Sequence, residues 1–551
     1  MKDKLNNAIK DIVKELLIKN GFNGDEAQFS VVIPEEENHG DFACNAAMQL
    51  ARFLKKPPRT IAEEIAGALV AKTGGDISAE IAGPGFINIT VSKKRFMETV
   101  TEILENPRFF HNNLGAGQKV IVEFVSANPT GPLHIGHGRG AAYGDSLARV
   151  LSVSGYEVSR EYYVNDAGNQ MNNLALSVYH RAMEMAGKAA DADFPENCYK
   201  GDYIKEIAGK LLKEQPDILD KDKSSALEIC LERAVDEIKD GIDKDLRRFG
   251  VEFDNWFSEK SLYKSGAVEE MLERLKSSGK IFEKDGALWL NTSSMGDDKD
   301  RVLKKSTGEY TYLTPDIAYH DNKYKRAFKK VIDVWGADHH GYVKRMRCAL
   351  KALGYDDASF DAVLIQMVNL IRNGEKISMS TRSGEFIPLS WLIDEVGVDA
   401  ARFFYNMRSC DAQFDFDMDL AKSESNDNPV YYIQYAHARV CSLLANAAAR
   451  GFEYKRGFGL EKAIGAEETR LIKNMIRLKY VIELAAQHYE PHRIAHYLQE
   501  LAAMFHSYYY ANKIITDDEE ITNGKLSVCE ALGKTITQGL NILGVDAPER
   551  M

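Results

Sequence analysis

Two histidines with two residues between them stand in a glycine-rich stretch early in the chain. The stretch reads PTGPLHIGHGR over residues 129–139, and its histidines are His134 and His137. A β-branched run of strand length precedes it at Lys119–Ser126, and helical apolar spacing follows it over Ala141–Ser154. The N–H groups at a helix start attract phosphate, and glycines let a triphosphate approach the main chain. Because the histidines lie about one helical turn apart, both imidazoles can face one nucleotide phosphate.

The same histidine pair has two other interpretations. The histidines could simply begin a helix that has a glycine at its cap. They could also bind zinc, but the seven cysteines of the chain are scattered without the paired spacing of a zinc site. We therefore expect no protein-bound metal, and we expect reduced, mostly buried thiols.

Composition and length narrow the class of protein. The chain has 551 residues, is 44% hydrophobic and contains no apolar run of about 18 residues, which predicts a soluble, globular protein without a membrane span. Its first residues are amphipathic and carry Asp and Glu, and they lack the apolar stretch of a secretory signal. The expected location is cytoplasmic. Long charged surfaces without a heptad run favour a monomer.

The charge of the chain gives two opposing indications about nucleic-acid binding. The net charge of −12 argues against indiscriminate binding to phosphate backbones. A local basic surface is still possible at Lys323–Lys330, which reads KYKRAFKK, and Lys344, Arg345 and Arg347 follow closely. The alternative is a solvated helix face balanced by nearby acids.

The chain divides into three regions by composition. Residues 1–110 read as a small α+β domain with an acidic loop, a helical stretch from Ala43 and a strand at Phe86–Val91. Residues 111–430 contain a βαβ unit whose second strand is Glu157–Val164, which predicts an α/β domain with a Rossmann-like, doubly wound parallel sheet.

The sheet of this middle region is expected to resume at Tyr310, after a charged, helical insertion over about 176–300. Residues 431–551 are predicted to be all helical. There Tyr432, Tyr435 and Arg439 share a helix face, and a later helix carries His506 and Tyr509. Such aromatics and cations can stack on and hold single-stranded RNA, although ordinary core packing is the rival explanation for each tyrosine.

Residues 122–140, VEFVSANPTGPLHIGHGRG, resemble the HIGH region of class I aminoacyl-tRNA synthetases, and the Glu-Phe-x-Ser-x-Asn lead-in resembles the arginyl enzymes. Further stretches resemble the bacterial arginyl enzymes in the same order along the whole chain. They are EYYVNDAGNQ (161–170), YLTPDIAYH (312–320), GADHHGY (336–342), DAARFF (399–404), NPVYYIQYAHAR (428–439) and APERM (547–551).

The resemblance implies a two-step ligase that uses ATP and Mg²⁺. Such an enzyme joins L-arginine to ATP as arginyl-adenylate, releases pyrophosphate, and transfers the arginyl group to the 3′-terminal adenosine of the tRNA for arginine, for use in translation. Displacement at phosphorus depends mainly on positioning and charge stabilisation. By the resemblance, His134 and His137 bind the ATP phosphates and act in catalysis, while Gly136 and Gly138 leave room for the nucleotide.

Arginine recognition requires acids that match a planar guanidinium. By the resemblance, Glu123 and Asp316 are the candidates, with Tyr312 beside the substrate side chain. Ser126, Asn128 and His134 would contact the amino and carboxylate end. As an isolated acid on a strand, Glu123 would more often face solvent, so its assignment depends on the motif.

The second class I motif, KMSKS, is altered in this chain. The corresponding stretch is GEKISMSTRSGEF, and we favour the alignment that puts Ser378, Met379 and Ser380 at the ATP-binding positions. Both usual lysines are then missing. Lys376 and Arg382 are the nearest cations that could replace them in catalysis.

The resemblance also implies tRNA contacts at both ends of the chain. Phe42 and Asn45 match the N-terminal domain that binds the tRNA elbow, and the aromatic residues and Arg439 of the helical region would belong to an anticodon-binding domain. Two alternatives stay open. One is a catalytically weak, synthetase-like RNA-binding module, and the other is another nucleotidyl transferase of the same fold.

Overall fold

The computed structural model describes residues 2–24, 26–32, 34, 39–188, 194–377 and 386–551, with the side chains of residues 2 and 3 excepted. The N-terminal region forms an antiparallel sheet of order β1-β2-β4-β3 with four helices. Its elements are α1 (Lys2–Lys19), β1 (Val31–Val32), β2 (Phe42–Cys44), α2 (Ala46–Leu54), α3 (Pro58–Lys72), β3 (Ile77–Ala82), β4 (Phe86–Val91) and α4 (Lys93–Glu105).

The strand expected at Phe86–Val91 is confirmed as β4. The helical stretch expected from Ala43 is wrong in its start, because Ala43 lies within β2 and pairs with Asn88 of β4. Phe42 and Cys44 on either side of Ala43 are both buried, so this short segment has the alternation of a strand.

The middle region begins with β5 (Lys119–Glu123), α5 (Ile135–Val153), β6 (Glu157–Val164) and α6 (Asn169–Met185). It continues with α7 (Asp202–Glu214), α8 (Lys223–Arg248), β7 (Asn255–Ser258), α9 (Glu259–Lys264), α10 (Ala267–Ser277), β8 (Ile281–Lys284), β9 (Ala287–Leu290), β10 (Arg301–Lys304) and α11 (Leu313–Lys325). It ends with β11 (Lys330–Gly336), α12 (His340–Ala352), β12 (Phe360–Ile365), β13 (Val368–Arg372), β14 (Glu375–Lys376), α13 (Leu389–Val396), α14 (Val398–Asn406), β15 (Phe414–Asp417) and α15 (Met418–Lys422).

Five of these strands form the central parallel sheet, in the order β12-β11-β5-β6-β7. Val120, Ile121 and Val122 of β5 are all buried, as expected for a strand covered on both faces. The chain winds from β5 to β6 and β7 on one side, and β11 and β12 lie on the other. In open α/β sheets, such a reversal places the binding crevice at the carboxyl end of the central strands.

Two expectations about this region are corrected. The insertion over 176–300 is not only helical, because β7 pairs with β6 in the central sheet and β8, β9 and β10 form a small antiparallel sheet. The sheet also does not resume at Tyr310, since the following residues form α11 and the next central strand begins at Lys330. Pro315 lies in the first turn of α11, where a missing N–H costs no helical hydrogen bond.

The C-terminal region is helical in its described elements, which are α16 (Pro429–Ala449), α17 (Leu460–Ala463), α18 (Ala466–His488), α19 (His492–Ala511) and α20 (Glu519–Leu543). Asn428 starts α16 by accepting hydrogen bonds from the N–H groups of Val430 and Tyr431, and Pro429 occupies the first helical position. Within the described ranges, no helix is long and apolar enough to cross a bilayer.

Candidate active site

The glycine-rich turn after β5 holds its two histidines by backbone hydrogen bonds. His134 caps α5, and its Nδ1 accepts from the N–H of Gly136 at 3.1 Å. The Nδ1 of His137 accepts from the N–H of His134 at 3.2 Å, and the two rings stack with centroids 3.6 Å apart. With both Nδ1 atoms acting as acceptors, each neutral imidazole carries its proton on Nε2.

Burial determines the charge of this histidine pair. It lowers the pKa of His134, and it lowers the pKa of His137 to about 3, with the neighbouring His134 adding to the effect. Both rings are therefore neutral near pH 7. Each provides one Nε2–H donor, which is suited to a phosphate oxygen and needs no proton uptake.

The glycines of the turn have structural roles. A Cβ on Gly138 would lie 2.6 Å from Leu389 Cδ1 and 3.1 Å from Tyr405 Cε2, so this glycine is required for packing of α5 against α13 and α14. A Cβ on Gly136 would lie 3.0 Å from the His134 ring. The expectation that Gly138 leaves room for the nucleotide is therefore wrong, because protein side chains already fill the space beside its Cα.

The segment that follows the altered second motif lies against the histidine turn. Ser378, Met379, Ser380 and Arg382 lie outside the described residues. Directly after them, Ile387 accepts a backbone hydrogen bond from Ile135 at 3.1 Å, and Leu389 donates one to Leu133 at 2.8 Å. On the other flank Lys376 is exposed, with Nζ 3.6 Å from Asp415 Oδ1. The described residues thus resume at Phe386, whose ring centroid lies 6.4 Å from that of His134.

The backbone between β5 and this turn is strained. Val125 and Ser126 have φ values of 68° and 40°, a left-handed conformation that is unusual for a β-branched residue. Ser126 Oγ donates to Glu123 Oε1 at 2.9 Å and accepts from the N–H of Tyr163 at 3.1 Å. Beyond the bend, Asn128 Nδ2 donates to Gln170 Oε1 at 2.8 Å. Such strain persists where neighbouring contacts enforce it, which is common at binding sites.

Glu123 already has a cation. Its side chain is buried and forms an ion pair with Lys323 Nζ, which also lies 2.8 Å from Asp333 Oδ1. Lys323 thus offsets the charge of this carboxylate from within the protein, and contact between Glu123 and the substrate guanidinium stays a prediction. Lys323 is fully buried.

Two further carboxylates, the half-buried Asp316 and the buried Glu259, have no such cation. Asp316 accepts from the Tyr342 hydroxyl at 2.5 Å, and Glu259 accepts from the Tyr163 hydroxyl at 2.8 Å. Among the residues that the structure describes, no Lys, Arg or His side chain forms an ion pair with either acid. Burial raises the pKa of Asp316 to about 7, and the negative charges of Glu123 and Glu259 contribute. Burial also raises the pKa of Glu259.

Glu259 was not among the site residues predicted from the sequence. It is the first residue after β7, at the carboxyl edge of the sheet, and that position would have identified it if β7 had been recognised. Tyr312, which was predicted, precedes α11 and is exposed beside Tyr342, with ring centroids 6.4 Å apart.

Nearby acids pair with the cations in the first half of the basic run of residues 323–330. Lys325 pairs with Asp321 and Glu270, and Arg326 binds both carboxylate oxygens of Glu161 at 2.6 and 2.7 Å. Together with the buried Lys323, these pairs favour the alternative that nearby acids balance the run.

The residues predicted in the helical region come together as one cluster on α16 and α19. The Arg439 guanidinium lies 4.4 Å from the Tyr435 ring and 4.5 Å from the Tyr509 ring, and it hydrogen-bonds His506 at 2.9 Å. The Tyr432 ring packs against that of His506 in a tilted arrangement, with centroids 4.4 Å apart. The cluster opens to solvent through Tyr510, which is 78% exposed.

The N-terminal candidates differ from each other. Phe42 is 5% exposed and belongs to the core, so the prediction that it stacks on a tRNA base is corrected. Asn45 uses its side-chain oxygen to accept from the N–H of Ser30 at 2.9 Å. Its place in tRNA binding stays a prediction.

Comparisons with known proteins follow the three regions of the chain. Residues 1–91 match the family model described as Arginyl tRNA synthetase N terminal domain, residues 99–410 match tRNA synthetases class I (R), catalytic domain, and residues 433–551 match DALR anticodon binding domain.

Relatives match over the full length. An arginine–tRNA ligase of Nitratidesulfovibrio vulgaris strain DP4 is 48% identical across 100% of both chains. One from Oceanobacillus iheyensis is 49% identical across 94% of this chain and 93% of its own. The solved structure of Thermus thermophilus arginyl-tRNA synthetase has a TM-score of 0.77 over 100% of both chains at 22% identity, which supports the fold.

These matches confirm the predicted α/β class I fold with its N-terminal and helical C-terminal domains, and nothing in them supports a non-catalytic module or another nucleotidyl transferase. The chain belongs to the arginyl-tRNA synthetases, the class I ligases that charge tRNA with arginine.

Proposed function

We propose that this ligase binds the guanidinium of L-arginine between Asp316 and Glu259, next to the ATP site formed by His134 and His137. The observation that carries the proposal is a pair of carboxylates without a cation, Asp316 half-buried and Glu259 buried, at the same edge of the sheet as the histidine turn. One guanidinium can donate to two carboxylates through its planar fork. Lysine presents a single ammonium and would leave buried acceptors unpaired.

In the activation step, the arginine carboxylate attacks the α-phosphorus of ATP and pyrophosphate leaves. The Nε2–H donors of His134 and His137 stabilise negative charge on the phosphate oxygens, because both rings are held and neutral. Lys376 and Arg382 provide positive charge toward the outer phosphates. Ser126, Asn128 and His134 are the candidates for the amino and carboxylate end of arginine.

Mg²⁺ is proposed to arrive with the triphosphate, where it neutralises phosphate charge. In the described part of the chain, the group with metal-ligand geometry is Glu123, His320 and Asp333. The ammonium of Lys323 already binds two of these acids, so the group does not fit a resident ion.

The tRNA is proposed to contact the aromatic cluster of α16 and α19, with an unpaired base stacking near Tyr510 and Arg439. The N-terminal domain, with Asn45, is proposed for the tRNA elbow. The domain boundaries proposed are 1–110, 111–430 and 431–551, and the enzyme is proposed to act as a cytoplasmic monomer.

The experiment is ATP–pyrophosphate exchange by the purified protein with arginine or lysine, with and without the matching tRNA. We expect exchange with arginine and none with lysine. If exchange occurs only when tRNA is present, the result would also show that tRNA completes the active site. Equal exchange with both amino acids would contradict the proposed guanidinium pocket.

A further inference from the structure

The loop of residues 127–133 leads from the strained bend to the histidine turn, and two tyrosine hydroxyls hold its backbone. Tyr162 of β6 donates to the carbonyl oxygen of Ala127 at 2.9 Å, and Tyr203 of α7 donates to that of Thr130 at 2.6 Å. Because both acceptors are main-chain carbonyls, these bonds fix the path of the loop itself. The first anchor belongs to the central sheet. The second belongs to the inserted helices, α6, α7 and α8, which lie between β6 and β7 in the chain.

Two glycines leave the space that the half-buried Tyr203 ring occupies. A Cβ on Gly131 would lie 3.1 Å from the Tyr203 hydroxyl oxygen and 3.2 Å from its Cζ. A Cβ on Gly201, which precedes α7, would lie 2.4 Å from Tyr203 Cε1. Neither glycine has a φ in the left-handed region, so the backbone conformation does not require glycine at these positions. The requirement is room for one aromatic ring against the loop.

The inserted helices bind the same loop at a second point. Gln170 in the first turn of α6 accepts from Asn128 Nδ2 at 2.8 Å. The helix α6 packs against both α7 and α8, and Ile204 of α7 is fully buried in this packing. A shift of the inserted helices would therefore displace the loop at residues 128 and 130 together. The loop leads directly to His134, so its position also bears on the phosphate donors.

We propose that Tyr203 is a positioning residue for arginine activation. Through its hydrogen bond to Thr130, the inserted helices set the distance between the arginine carboxylate and the α-phosphorus of ATP. Asn128, a candidate for the amino and carboxylate end of arginine, and His134, a phosphate donor, lie on either side of this anchor. Attack at phosphorus depends on alignment, and a displacement of about 1 Å can cost about a hundredfold in rate. The inference rests on the proposed activation site, and Tyr203 acts on it through the loop backbone.

The test measures kcat and the KM values for arginine and ATP in ATP–pyrophosphate exchange with the matching tRNA present, together with thermal unfolding of each protein. Tyr203→Phe removes the hydroxyl and keeps the ring. Tyr497→Phe is the matched control, because Tyr497 of α19 also donates its hydroxyl to a main-chain carbonyl, that of Asn474 in α18, at 2.8 Å. Gly131→Ala crowds the Tyr203 ring from the loop side. The double variant Tyr203→Phe/Gly131→Ala shows whether both changes act through one contact.

We expect Tyr203→Phe to lower kcat by about threefold or more and to leave both KM values within about twofold, because alignment affects the transition state more than the bound substrates. Tyr497→Phe should leave kcat within about twofold even where it lowers the unfolding temperature, since its hydrogen bond joins two helices of the C-terminal region. Gly131→Ala should also lower kcat. The double variant should lose less than the product of the two single losses, because the hydroxyl contact can be broken only once.

Three results would overturn the inference. The first is a Tyr203→Phe protein whose kcat stays within about threefold of the wild type. The second is an equal loss of kcat in Tyr203→Phe and Tyr497→Phe, which would show a general effect of a lost hydrogen bond. The third is a double variant whose loss equals the product of the single losses, which would separate Gly131 from Tyr203. His134→Ala in the same series tests the activation site, because an unchanged kcat there would refute the proposed ATP site whatever the result for Tyr203.

Discussion

Arginine affinity should depend on pH through Asp316. Burial and two neighbouring carboxylates raise the pKa of Asp316 to about 7, far above the ordinary value of an aspartate. Below that pH the carboxyl is protonated and neutral, so it offers the guanidinium no charge. Above it, the carboxylate forms and can bind. Affinity should therefore fall as pH drops through 7, with a proton released on binding.

The magnitude follows from proton linkage. If arginine binds only the ionised form, the apparent Kd exceeds its high-pH limit by the factor 1 + 10^(pKa − pH), which is about 11 at pH 6 and about 1.1 at pH 8 for a pKa of about 7. We expect roughly a tenfold weaker affinity at pH 6 than at pH 8. The histidines of the turn do not titrate here, because burial lowers the pKa of His134 and His137.

The assay is calorimetric titration of the protein with arginine from pH 6 to pH 8, repeated in buffers of different ionisation enthalpy to count released protons. Asp316→Asn should bind weakly and lose the pH dependence. Asp399→Asn is the matched control, since burial also raises the pKa of Asp399 but its carboxylate binds Gln434 of α16. A Kd that is equal at pH 6 and pH 8 in the wild type would refute the reasoning.

Three further predictions follow from particular contacts. Gly138→Ala should destabilise the protein by about 1–3 kcal/mol in denaturant unfolding, because its Cβ would meet Leu389 and Tyr405; unchanged stability would contradict the packing role. Arg439→Ala should raise the KM for tRNA about tenfold and leave the arginine KM unchanged in charging assays, whereas an unchanged tRNA KM would remove the cluster from the interface. Lys376→Ala and Arg382→Ala should each slow adenylate formation in rapid-quench experiments. If both variants form adenylate at the wild-type rate, the segment of the altered second motif supplies no charge to the reaction.

Local pattern predicted the elements around the histidine turn well. The strand expected at Glu157–Val164 is β6 to the residue. The first strand ends earlier than expected, at Glu123, because the strained turn begins at Val125. The following helix begins earlier, at Ile135, since its first turn is rich in glycine and hides the apolar spacing.

Long-range pairing could not be predicted in the same way. Lys323 and Glu123 are 200 residues apart in sequence, and nothing local marks either as half of a buried ion pair. The basic run around Lys323 is indistinguishable in composition from a surface patch. Glu259 was hidden for a related reason, because the short strand β7 lies within a region of helical character and pairs only with distant β6.

The aromatic cluster of α16 and α19 could be predicted only in part. Helical spacing placed Tyr432, Tyr435 and Arg439 on one face, which the structure bears out on α16. Their contact with His506 and Tyr509 required the packing of α16 against α19, which spacing within one helix does not specify.

The measurement that tests the central claim most directly is a crystal structure of the protein with L-arginine bound. The account predicts guanidinium nitrogens within hydrogen-bond distance of the carboxylates of Asp316 and Glu259, with Lys323 still paired to Glu123. A guanidinium that makes no hydrogen bond to Asp316 or to Glu259 would contradict it.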